Sequence, residues 1–141
     1  MKKSISALLI SIFAFSYAGN VSPTLSLRVV DLLAGDTYSA SPVIGLNMEL
    51  DNGMTSGFDT YTPSGGTSSY SRIHISKSYG KFGLGVITDS AAGSAINGKP
   101  YFTIGTTLSN DNGISVGLDY VINRLIETVE DNLQLELTIE F

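Results

Sequence analysis

Apolar and polar residues alternate with a period of two along most of this 141-residue chain, and few patterns restrict a fold as tightly. Successive side chains of a β-strand point to opposite faces, so each such run predicts a strand lying between two unlike environments. The pattern occurs eight times, over residues 24–31, 42–50, 54–61, 70–79, 81–88, 100–109, 114–123 and 132–141. One set of positions is apolar, as in Leu25-x-Leu27-x-Val29, Ile44-x-Leu46-x-Met48, Phe82-x-Leu84-x-Val86 and Ile114-x-Val116-x-Leu118. The other set carries glycines (Gly45, Gly57, Gly83, Gly85, Gly105, Gly117) and the charged or polar residues between them.

The connections alternate as well. Segments 32–41, 62–69, 89–99 and 124–131 are long, whereas Asp51-Asn52-Gly53, the bend centred on Gly80 and Ser109-Asn110-Asp111-Asn112-Gly113 are short. Asn-Gly supplies the positive φ values that tight hairpins need. Eight consecutive antiparallel strands with long and short connections in turn predict an all-β, up-and-down barrel with the long loops at one end. Segment 121–131 has partly helical spacing through Leu125, Ile126 and Val129, so a helical turn in the last long loop competes there with a continued strand.

Residues 1–18 stand apart. Lys2 and Lys3 precede the apolar run Leu8–Phe15, and Ser16-Tyr17-Ala18 has the small-x-small form of a cleavage site. This is the pattern of a signal peptide cleaved after Ala18, leaving residues 19–141 as one domain. Removing the two lysines takes the formal charge from −5 to −7, which argues against a nucleic-acid partner. The chain has no cysteine, so neither a disulfide framework nor a thiolate metal site is available. No apolar run after residue 18 approaches the ~20 residues of a spanning helix, so any membrane crossing must be made by strands.

Alternation does not by itself say which face is outside. Glycine inside a strand is favoured where space is tight, and the lumen of an eight-stranded barrel is only just wide enough for side chains, so the glycine-rich face is expected inside. Tyr79, Phe82 and Phe141 fall near the short-turn end of the apolar face, and Phe102 and Tyr120 near the long-loop end, as interfacial aromatic girdles would. Lys77 shares that face close enough to its end to snorkel. Together these features predict a transmembrane barrel with a polar, glycine-rich interior and an apolar exterior in contact with outer-membrane lipid.

The last strand carries Leu133, Leu135, Leu137, Ile139 and Phe141 at every second position. This resembles the C-terminal β-signal that the barrel-assembly machinery recognises in bacterial outer-membrane proteins. The whole pattern is similar to small eight-stranded barrels of the OmpA/OmpX type, opacity-like proteins included, with a porin-like final strand. The resemblance implies export to the outer membrane of a Gram-negative cell.

On this reading Arg28, Glu49, Asp59, Arg72, His74, Asp119, Glu136 and Glu140 point inward, and Arg28 and Glu136 can pair where the first and last strands meet. Buried charges need partners, so the inward set reads first as a polar plug. His74 and Ser76 form a His-x-Ser pair similar to one in the eight-stranded lipid A deacylases, but here it faces the interior and lies mid-chain. A single histidine and no cysteine leave no usual zinc site, no phosphate-binding glycine loop precedes a helix, and no cofactor is expected. The long loops, with Tyr38, Tyr61 and Tyr70, are the place for an external partner. The leading expectation is a non-enzymatic envelope protein with a structural or adhesive role. A narrow pore or porin-like subunit, a hydrolase using His74 and Ser76, and a secreted soluble barrel are the alternatives.

Overall fold

A computed structural model describes residues 21–30, 32, 39–50, 53–123 and 131–141. The expected signal segment 1–18, Tyr38, Asp51-Asn52 and residues 124–130 of the ambiguous stretch 121–131 lie outside the described residues, while Val121 and Ile122 continue β7.

Eight strands follow one another: β1 (Val21–Val30), β2 (Ser39–Glu49), β3 (Met54–Tyr61), β4 (Ser68–Lys77), β5 (Gly80–Asp89), β6 (Pro100–Asp111), β7 (Ile114–Ile122) and β8 (Asn132–Glu140). Each pairs antiparallel with its successor, and β8 returns to β1, so the sheet is a closed barrel. The described residues contain no helix. The seam runs from Thr24 opposite Glu140 to Val29 opposite Leu135, and Phe141 N donates to Pro23 O at 3.0 Å. Closure leaves no strand edge unpaired along the seam, which removes the template that an open sheet offers to other chains.

The up-and-down order gathers the β2–β3, β4–β5 and β6–β7 turns at one end and the longer connections at the other. Turn chemistry sets the short end. Asn112 and Gly113 both have positive φ (50° and 79°), the condition of a hairpin whose twist matches its strands. The β4–β5 turn is not centred on Gly80. Ser78 takes the positive φ (55°) and Gly80 already pairs with Lys77 as the first residue of β5. Strand β6 also runs further than the alternation suggests, through Ser109 to Asp111, after a bulge between Thr107 and Ser109. A bulge inserts a residue and resets the alternation, which is why that stretch reads as a turn from sequence.

Candidate functional site

Six of the eight strands send one charged residue each into a single buried network. Arg28 (β1) donates from Nε to Glu136 Oε2 (β8) at 2.7 Å, and its Nη2 also meets that oxygen. Arg72 (β4) donates from Nη2 to Asp59 Oδ2 (β3) at 2.6 Å and from Nη1 to Asp119 Oδ2 (β7) at 2.6 Å. Arg28 Nη2 is 3.4 Å from the same Asp59 oxygen, which ties the two arginines together. Both arginines are 1% exposed. Lys81 on β5 completes the set, with Nζ 3.2 Å from Asp119 Oδ2 and 3.6 Å from Glu136 Oε1. Three cations thus face three carboxylates. The balance matters because an ion held away from water without a partner costs several kcal/mol.

The glycines make room for these side chains. A Cβ on Gly57 would strike the His74 imidazole, one on Gly83 would strike Thr103 and the Arg72 stem, one on Gly85 the Tyr101 ring, and one on Gly105 the Asp119 carboxylate. Each glycine is therefore the seat of a large neighbour on the next strand.

Toward the long-loop end the space is filled differently. Val30, Val43, Tyr61, Ile87, Tyr101 and Val121 are buried, with Tyr70 packed against both halves of the cluster. Tyr70 stacks on Tyr61 with centroids 5.2 Å apart and meets Tyr101 edge-on at 5.6 Å. The Arg28 guanidinium lies 4.6 Å from the Tyr61 ring centre, and Tyr61 Oη accepts from Gln134 Nε2 at 3.1 Å. Tyr61 and Tyr70 are therefore not free loop side chains for an external partner. They end β3 and sit within β4, and they pack with the buried cluster.

Toward the short-turn end lies a cavity of about 170 Å³, lined by Asn47, Glu49, His74, Ser76, Lys81 and Glu140 among others, with Asp59 and Glu136 also on its wall. Glu49 and Glu140 are exposed and take no part in the ion network. Asn47 Nδ2 donates to Glu140 Oε2 at 3.1 Å. His74 Nε2 is 3.5 Å from Asp59 Oδ2, and among the described residues no hydrogen bond joins His74 to Ser76. The general base and the hydroxyl of a hydrolytic pair are thus not engaged with each other.

The remaining sequence-derived positions are on the opposite face. Tyr79, Phe82, Tyr120, Leu137, Ile139 and Phe141 are exposed, while Phe102, Leu133 and Leu135 are half-buried. Lys77 is exposed at the last position of β4. Lys81, Thr103, Gln134 and Tyr101 belong to the buried assembly although alternation alone did not single them out. Their inward parity with Gly83, Gly105, Glu136 and Gly85 was the available signal. Compared with protein-family models, with curated proteins and with solved structures, the chain matches none.

Proposed function

We propose that this chain is an outer-membrane barrel whose role is structural, with its long loops presented to the cell exterior. The observation that carries the reading is where the large apolar side chains lie. Among the described residues sixteen of them, Leu25, Leu27, Ile44, Ile73, Phe82, Ile104 and Leu137 included, are at least 40% exposed, while Arg28, Arg72 and Asp119 are each 1% exposed. Soluble monomers rarely expose apolar patches beyond a few hundred Å². Hydrocarbon around the barrel gives those side chains an apolar surrounding, and the closed ladder satisfies the backbone that lipid cannot.

Strand length agrees. The strands run from 8 residues in β3 to 12 in β6, against the ~9–11 that a tilted spanning strand needs. Against the pore alternative stand the paired charges and, beyond them, the cluster of Tyr61, Tyr70, Tyr101, Val43, Ile87 and Val121. Ions meeting this arrangement must part salt bridges and then cross an apolar layer. Against the soluble alternative stands the same exposure of Leu25, Leu27 and Ile44.

Membrane fractionation with heat-dependent gel migration is the direct test. Recovery with the outer membrane, solubility only in detergent and a migration shift on boiling are expected; a freely soluble monomer overturns the proposal. Reconstitution into planar bilayers should give no steady conductance. Sustained channel events would replace the structural reading with the pore.

A further inference from the structure

The outer wall is not equally apolar all the way round. Strand β1 turns Val21, Pro23, Leu25, Leu27 and Val29 outward, and β8 turns Leu133, Leu135, Leu137 and Ile139, so that side is apolar along its length. On β4 the outward positions are Ser69, Ser71, Ile73, Ile75 and Lys77, and only Ile73 and Ile75 are apolar. Neighbouring β3 adds Ser56 and Thr60 on either side of Phe58. The pairing fixes this parity. Thr60 stands between Ile44 and Ser71, Ser71 stands beside Val86, and Ile44 and Val86 are exposed. At about 3.3 Å per residue, Ser71 and Lys77 are about 20 Å apart along the strand and about 15 Å apart in height at a tilt of about 40°, against an apolar band of about 25 Å on such barrels.

A wall shorter than the hydrocarbon beside it is accommodated by thinning the bilayer or by association. The hydroxyls favour association. Thr60 Oγ1 and Ser71 Oγ are hydrogen-bonded at 3.0 Å, which uses one of their two O–H donors and leaves acceptor positions on both oxygens. Acyl chains offer such groups nothing, whereas another Ser–Thr pair offers both donors and acceptors. The relief of the wall agrees. Ile73 is 59% exposed and forms a ridge with Phe58. A groove of about 130 Å³ lies on its β2 side, beside Leu46 and Met48, and one of about 380 Å³ on its β5 side, beside Leu84, Val86 and Pro100. A ridge flanked by grooves is complementary to a copy of itself.

We propose that two copies of this barrel associate side by side through their β3–β4 walls, about a two-fold axis along the membrane normal. That axis keeps every residue at its own level and brings the same patch of both copies together. The Thr60–Ser71 hydroxyls of one copy then meet those of the other, while each Ile73 enters a groove beside the other ridge. The two short walls cover each other, and lipid meets only the tall ones. The inference rests on the outer-membrane reading.

The chain has no cysteine, so single-cysteine variants report contacts directly. Ser71→Cys and, on the far wall, Leu137→Cys are oxidised with copper phenanthroline in isolated membranes. A disulfide-linked dimer is expected from Ser71→Cys and not from Leu137→Cys. Sedimentation of the detergent-solubilised barrel should show a dimer, and Thr60→Val with Ser71→Leu should weaken it by at least about tenfold, the scale of one hydrogen bond between membrane segments. Heat-dependent migration shows which variants fold, and Ser71→Cys decides alone if the double variant does not. A membrane-bound barrel that cross-links no better through Ser71→Cys than through Leu137→Cys, or whose folded double variant associates as tightly as before, overturns this inference and leaves the outer-membrane reading standing. A freely soluble chain overturns both.

Discussion

At the long-loop end the space between the strands is occupied by Val30, Val43, Tyr61, Ile87, Tyr101 and Val121, packed ring against branched side chain. At the short-turn end the equivalent inward positions carry Asn47, Ser76, Ser115 and Thr138, and a cavity remains. The wall is the same eight strands throughout, so the difference lies wholly in the size and polarity of the inward residues. One end is held by shape, the other is left to solvent, and the ion network sits between them as the layer both depend on.

That division can be attacked at each level. The largest effect is expected in the middle. Arg72→Met removes the hydrogen-bonding arginine shared by Asp59 and Asp119, leaving them only Arg28 and Lys81, and should cost about 3–5 kcal/mol, read as a lower urea midpoint in detergent. A loss under 1 kcal/mol would mean that water already solvates those carboxylates. Next comes the packed end. Gly85→Ala drives a methyl group into the Tyr101 ring and should cost about 1–3 kcal/mol in the same assay. Tyr61→Phe keeps the ring contacts but strips the Gln134 amide of its acceptor, a loss of about 1 kcal/mol. Glu49→Gln at the open end should change stability by less than about 0.5 kcal/mol, because an exposed side chain outside the network is replaced. If Glu49→Gln proved as damaging as Gly85→Ala, the two ends would not differ as described.

The strands were legible in sequence because their two faces meet such different surroundings that period two marks each of them, broken at the β6 bulge. The pairing of Arg28 with Glu136 followed from the count, since an even up-and-down barrel must bring its first and last strands together. What stayed hidden depended on distances along side chains. Lys81 stands beside a turn and looks like a solvated strand end, yet its four-carbon stem carries the ammonium to Asp119. Tyr61 and Tyr70 flank a loop of Ser, Thr and Gly, yet they share inward parity with Asp59 and Arg72, and the pairing of the two residues across β3 and β4 brings them together on the interior side. The positive φ at Ser78 displaced a turn that glycine would ordinarily mark.

The hydrogen bond from Arg28 to Glu136 joins residues 108 apart, and it crosses the seam between the first strand and the last. Contacts so distant along the chain form late, because the intervening segment must be gathered before they return anything. A sheet of only the first seven strands has two unpaired margins, both open to pairing with other chains. Only the eighth strand, paired with β7 on one side and β1 on the other, covers both margins at once.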